Sequence, residues 1–374
     1  MNRVSQRPSP PKFVAGSVKK RPLPARPRCA PEGGDVLRGG SASTASRPIR
    51  EKRLGPAAAK IAFRAFAGLL LWMAVASGSA AQDLAPRAYL ITPVNSNAVI
   101  LSYSYSSGAL QFDGAVPVSG ATADIHMPIF SFYHTLNFFG RSASVTVALP
   151  YGIGHFNGTV QQAPRYAYRS GLLDSYYRFS VNLMGGPAMN AREFAKWRQK
   201  RLLGVSLNVV APTGQYDGTR LLNWGNNRWG FKPELGYSER WGHWLLDAYA
   251  AAWFFTTNEE FFSYNQYVPG LQTQSESPVV AFEGHLSYDV RPRLWISLDG
   301  NFWHGGETSL SGVENPVTLQ KSSRVGVTLS VPLTPRQSLK VSFYDGAYIN
   351  YGGNYKNASV GWQYGWTGWP AHSK

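Results

Sequence analysis

From residue 82 onward, apolar and polar residues alternate with a period of two, and no apolar run reaches the ~18 residues that a membrane helix requires. A period of two marks extended strands with two unlike faces. Over 203–209, Leu203, Val205, Leu207 and Val209 alternate with Gly204, Ser206 and Asn208. Over 282–289, Phe282, Leu286 and Tyr288 alternate with Glu283, His285, Ser287 and Asp289. The same reading applies to 173–183, 229–237, 294–302, 324–331, 339–343 and 359–366, although Pro233 weakens the apolar face of its segment. Weaker candidates at 98–105, 124–138, 142–153 and 244–255 bring the expected count to twelve strands.

The connections between these segments alternate in length. Those at 140–141, 240–243, 291–292 and 332–335 are short. Those at 106–123, 154–170, 212–227, 256–278, 304–322 and 346–357 are long. Short turns on one side and long loops on the other are the habit of transmembrane barrels, and an even strand count places both ends on the periplasmic side. The exception is 184–200, a long connection on the short side, whose stretch 193–198 is expected to form a short helix. Aromatic residues cluster near strand ends, as interfacial girdles do. The expected fold is therefore an all-β, antiparallel transmembrane barrel of about 12 strands. The alternative is a soluble sandwich or lipocalin-like barrel, in which the charged face meets water. In the membrane reading, Arg at Leu207 or Val327 is costlier than Arg at Ser206.

The formal charge of +16 raises the question of nucleic acid, but the charge is uneven. Residues 1–81 hold 15 basic and 3 acidic side chains, whereas 82–374 hold 22 basic and 18 acidic, a net of +4. With no basic cluster in the latter part, no nucleic-acid partner is expected. Residues 61–76 (IAFRAFAGLLLWMAVA) follow Lys52, Arg53 and Lys60 and precede SGSAA, so 55–81 reads as a signal peptide cleaved after Ala81. Residues 1–54 lack apolar periodicity and are expected to be disordered or to precede the true translation start. Residues 82–374 are expected to form the barrel. Cys29 is the single cysteine, which leaves the barrel without a disulfide or a thiolate metal site.

Within the barrel region, GLLD at 171–174, APTGQYD at 211–217 and NWGNNRWGFKPELG at 223–236 form mixed-polarity stretches, continued by WLLD at 244–247 and by Thr257 and Asn258. The chain resembles, on these residues, the MetA-pathway-of-phenol-degradation transporter family. The resemblance implies an outer-membrane barrel associated with uptake of aromatic or other hydrophobic compounds. Its motif positions are Pro212, Gly214, Tyr216, Asp217, Gly225, Asn227, Arg228, Pro233, Glu234 and Gly236. One departure lies near the end, where Trp369 is followed by PAHSK rather than closing the chain on an aromatic residue.

The barrel region holds His126, His134, His155, His243, His285, His304 and His372, with no His-x-His or His-x₃-His pair, so no metal or other cofactor is expected. His285 and Ser287 share one strand and read as lumen polar groups rather than as an acyl hydrolase, which needs Ser and His converging with a third group. The functional expectation falls on the charged face: Asp174, Arg178, Lys232, Glu234, Asp247, Glu283, Asp289, Asp299, Arg324 and Lys340 are expected to line a lumen in a mixed-sign network. The expected function is a passive channel or transporter for small hydrophobic or aromatic compounds, with outer-membrane lipid as partner. A barrel-embedded lipid or ester hydrolase and a purely structural barrel are the alternatives.

Overall fold

The computed structural model describes residues 85–111 and 118–368, so the expectations for the leader and signal peptide lie outside the described residues. The strands are β1 (Ser96–Leu110), β2 (Val118–Phe138), β3 (Arg141–Val160), β4 (Ala163–Leu172), β5 (Ser175–Met184), β6 (Arg201–Ala211), β7 (Gly230–Trp241) and β8 (Trp244–Phe255). They continue as β9 (Gln274–Glu276), β10 (Val279–Arg291), β11 (Leu294–Gly305), β12 (Thr308–Leu310), β13 (Val313–Asn315), β14 (Gln320–Pro332), β15 (Gln337–Tyr348) and β16 (Gly353–Thr367). All wall pairings are antiparallel, and β1 pairs with both β2 and β16, which closes the sheet on itself. Because β4 and β5 lie end to end against β3, the wall is a closed barrel of twelve strands. The strands β9, β12 and β13 form a separate three-stranded sheet in the long loops.

Burial in this barrel is inverted relative to a soluble protein. Leu298 is 61% exposed and Leu207 is 45% exposed on the outer face, while Asp247 is fully buried and Asp299 is 2% exposed on the inner face. Exposed Leu101, Phe130, Leu149, Phe179, Phe282, Val325 and Val360 continue the apolar band around the wall. In water such a band would forfeit the hydrophobic free energy that holds a fold together. Against hydrocarbon it costs nothing, and closure leaves no unpaired strand edge. The soluble-sandwich alternative is thereby excluded. Aromatic pairs sit near the short turns, Trp244 edge-on to Tyr288 and Phe138 edge-on to Phe179, where a girdle meets the periplasmic interface. Among the described residues no helix is long and apolar enough to cross a membrane. Leu207→Arg is expected to destabilise the barrel by roughly 2–4 kcal/mol. Urea unfolding in lipid vesicles measures this, and an unchanged midpoint would place Leu207 away from hydrocarbon.

The strands extend further than the period-two reading expects. Residues 154–170, expected as a loop, form a hairpin in which β3 runs to Val160 and β4 returns from Ala163, turning at Gln161 and Gln162 with positive φ. Beyond the bilayer both hairpin faces are wet, so Tyr166 and Tyr168 alternate with Ala167 and Arg169 without an apolar contrast. The same extension carries β1 and β2 into 106–123. Leu173, expected on the outer apolar face, instead sits at a break between β4 and β5, with its side chain against the inward-facing Gly152.

The unusually long periplasmic connection contains helix α1 (Ala191–Lys196). Asn190 accepts from the backbone N–H of Arg192 and Glu193, and Glu193 returns a bond to Asn190 N–H, a reciprocal cap that makes so short a helix tenable. Phe194 and Trp197 pack with Met189 and Leu202 around Ile91, a residue of the segment that precedes β1. The connection thus anchors residues 85–95 at the periplasmic end.

Candidate functional site

The inner face carries most of the charged residues singled out above, and four of them, Arg178, Lys232, Glu234 and Glu283, contact one another. Arg178 donates to Glu234 at 3.3 Å, and Lys232 lies 2.9 Å from Glu234 and 3.0 Å from Glu283. His285 Nδ1 is 2.9 Å from Asp299, which also accepts from the Thr328 hydroxyl at 2.7 Å. Asp247 accepts from the Ser238 hydroxyl, and the Arg324 guanidinium lies 5.2 Å from the Trp303 ring centroid. Asp289 sits at the periplasmic end, paired with Arg240 and Arg87, and Lys340 is exposed near the same end. Asp174 departs from the expected lumen role. At the β4–β5 break it accepts from Gly214 N at 2.9 Å, Asn226 N at 2.8 Å and Asn226 Nδ2 at 3.0 Å, so it holds an extracellular loop.

Sequence periodicity gave no sign that residues 85–95 enter the barrel. The segment crosses the periplasmic part of the lumen, and its polar groups find partners around the wall. Arg87 forms an ion pair with Asp289 at 2.8 Å and lies 4.3 Å from the Trp295 ring centroid, and its backbone N–H donates to Asp247 at 3.2 Å. The Ala88 N–H donates to the Tyr249 hydroxyl at 3.0 Å, and Arg178 donates to the Ala88 carbonyl at 3.2 Å. The Tyr89 hydroxyl donates to Glu234 at 3.0 Å and lies 3.0 Å from the Ser206 hydroxyl. At the segment's other end, Thr135 donates to the Pro93 carbonyl at 2.6 Å and accepts from Ser96 N. These contacts make the segment a plug. An arginine at Ser206 would meet Tyr89 inside the barrel.

The family-motif stretch folds over the extracellular mouth. Trp224 packs against Gly152, Gly154 and Phe156 on the inner face of β3. The turn after Pro212 is fixed by Gly214 on Asp174 and by Gly225 N donating to the Gln215 carbonyl at 2.9 Å. Tyr216 donates to the Glu260 carbonyl and accepts from Asn258, which in turn accepts from Asn227. Arg228 pairs with Glu276 and covers the Phe255 ring. The Thr219 hydroxyl and N–H, with Arg220, hold the Asp217 carboxyl below its usual range. The motif residues therefore knit two long loops together across the barrel mouth.

The β7–β8 ladder is interrupted over two pairs, as the β2–β3 ladder is at Met127 and Pro128. β7 and β8 pair from Trp241 with Trp244 up to Glu234 with Ala251, and again at Phe231 with Phe254 and Gly230 with Phe255. The two intervening pairs, Lys232 with Trp253 and Pro233 with Ala252, are missing. Pro233 has no N–H to give a neighbouring strand, which is why proline is scarce in strands paired on both sides. A depression of about 460 Å³ opens at this seam. It is lined by Val205, Pro233, Leu235, Ala250 and Ala252 of the outer face and by Ser206, Glu234 and Ala251 of the inner face. The seam lies in the extracellular half of β7, just above the plug.

A closed twelve-stranded barrel with an apolar outer band, a charged interior, a plug and a loop cap defines an outer-membrane channel of Gram-negative type. The chain matches, over residues 106–350, the family model described as "Putative MetA-pathway of phenol degradation". It belongs to that family. Its fold is similar to that of an outer-membrane channel of Pseudomonas putida F1, with a TM-score of 0.62 at 17% identity, covering 76% of this chain and 100% of that one. A weaker likeness, TM-score 0.41 at 14% identity, relates it to the transport unit of the autotransporter AIDA-I of Escherichia coli, covering 76% of this chain and 93% of that one. No curated protein sequence matches the chain.

Proposed function

We propose that the barrel is a passive channel for small apolar or aromatic molecules, which enter beneath the extracellular loops and leave sideways through the β7–β8 seam into the membrane. The seam is the observation that carries this reading. The periplasmic end holds residues 85–95, whose contacts are mostly charged or polar, whereas the outer rim of the seam is formed by Val205, Pro233, Leu235, Ala250 and Ala252, with Ser206 and Glu234 on its lumen side. An apolar solute desolvated in the mouth meets hydrocarbon at the seam and forfeits no burial on leaving. The reading keeps the substrate class expected from the sequence but replaces a straight passage down the lumen with a lateral one. Residues 55–81 act as the export signal that delivers the barrel region, 82–374, to the outer membrane.

The channel reading includes no catalytic step. A hydrolase centred on His285 would need a hydroxyl facing Nε2, and the nearest charged group there is the Glu283 carboxylate at 3.7 Å. Filling the seam tests the route. The triple variant Pro233→Val, Ala250→Leu, Ala252→Leu supplies an N–H and bulk, and is expected to lower uptake of radiolabelled p-cresol by cells about tenfold, equivalent to ~1.4 kcal/mol of barrier. Heat-modifiable electrophoretic mobility reports whether the variant is folded. Unchanged uptake by folded, seam-filled protein would overturn the lateral route.

A further inference from the structure

The side chain that locks the plug is itself a para-substituted phenol, and the wall is cut to its shape. Gly204 of β6 and Gly236 of β7 are register partners, and the Tyr89 ring lies across both. A Cβ at Gly204 would stand 2.5 Å from Tyr89 Cδ1, and one at Gly236 would stand 2.1 Å from Cε2, so any larger residue at either position evicts the ring. The Arg178 guanidinium covers the ring at 4.7 Å from its centroid, and the Tyr249 ring meets it at 5.2 Å with a 58° tilt. At the far end the hydroxyl reaches Glu234 and Ser206. Those two residues also line the seam, so the hydroxyl end of the slot adjoins the lateral opening.

We propose that this slot is a recognition site for para-alkyl phenols, which Tyr89 occupies as a tethered competitor and from which an incoming phenol displaces it. The inference rests on the lateral route proposed above and names the substrate class of that channel. The glycine pair selects a flat ring, the guanidinium and Tyr249 hold its faces and edge, and the carboxylate requires a hydroxyl donor at one end. A site built around a hydroxyl discriminates strongly against the analogue without one, because its polar groups are left unpaired. The tether gives Tyr89 a high effective concentration, so the free phenol competes only when it accumulates in the mouth. Displacement removes the contact of residue 89 with the wall, which couples arrival of the substrate to loosening of the plug.

The test uses the purified full chain in detergent. Tyr89→Ala empties the slot while Arg87 still pairs with Asp289, and isothermal titration with p-cresol is expected to show binding at least about tenfold tighter than toluene. Adding Gly236→Ala to that variant is expected to abolish the p-cresol site, with wild type and the filled variant serving as references for partition into detergent. In wild-type protein reconstituted in a planar bilayer, millimolar p-cresol but not toluene is expected to raise conductance, a readout that needs no variant. Equal binding of p-cresol and toluene, or binding that survives Gly236→Ala, would overturn the slot. Loss of uptake on filling the seam, without p-cresol binding to the emptied slot, would sink this inference and leave the lateral route standing. Slot binding with unchanged uptake in the seam-filled channel would do the reverse.

Discussion

Replacing Arg87 and Tyr89 together with alanine is expected to raise the time-averaged conductance of the reconstituted channel by about 100-fold. Arg87 supplies the ion pair with Asp289, and Tyr89 supplies the hydrogen bond to Glu234. Hydrogen bonds to charged groups contribute roughly 1.5–3 kcal/mol each, and the freed carboxylates recover part of that from water entering the lumen. A net loss of ~2.8 kcal/mol shifts the ratio of released to seated plug by about two orders of magnitude. The backbone favours release as well, since Arg87 holds a φ of 67°, a left-handed conformation that costs roughly 1–2 kcal/mol outside glycine. The periplasmic anchor stays in place, because Ile91 keeps its cluster with Met189 and Leu202. Single-channel recording in a planar bilayer measures the change. A double variant that conducts no better than wild type would show that residues 85–95 do not close the pore.

What the sequence made legible follows from where the solvent contrast lies. Between the two interfaces one face of a wall strand meets hydrocarbon and the other a polar or charged lumen, so β6 and β10 declare themselves through Leu207 beside Ser206 and Phe282 beside Glu283. Outside the bilayer that contrast vanishes. The hairpin of β3 and β4 is still period two, but its faces are both wet, and the same residues read as a loop. The plug was illegible for a different reason. Residues 85–95 have no period, and the partners that hold Tyr89 in place lie 117 and 145 residues further along the chain. No local pattern encodes a contact of that range. Two sequence features underlie the seam: Pro233 in the interior of a strand pattern, and the run of Ala250, Ala251 and Ala252 in the next strand. Each alone reads as a weakened strand, and only the β7–β8 register brings them side by side. The motif at 223–236 was legible as unusual, but its split role was not. Its first half caps the mouth through Trp224 and Asn226, and its second half forms the seam and slot through Pro233, Glu234 and Gly236.

Lys232 sits where these features meet, and its removal is expected to have the largest effect on stability. Its ammonium lies between Glu234 of β7 and Glu283 of β10, reaching past β8 on the lumen side at the level where the β7–β8 ladder is missing. It ties the two flanks of the seam together from within. Lys232→Met leaves two carboxylates without their shared cation in a place water reaches poorly, and breaking a buried pair in this way costs roughly 3–5 kcal/mol. Because the loss falls at the seam, the variant is expected both to unfold at lower urea concentration and to leak small solutes in liposome swelling assays. Adding Glu283→Gln removes one of the stranded charges while Arg178 continues to neutralise Glu234, so the double variant should recover most of the stability. A Lys232→Met barrel with the wild-type unfolding midpoint and swelling rate would show that the ammonium bears no load across the gap. Recovery of stability without recovery of tightness would separate the two roles, placing the charge balance in the fold and the closure of the wall in the lysine itself.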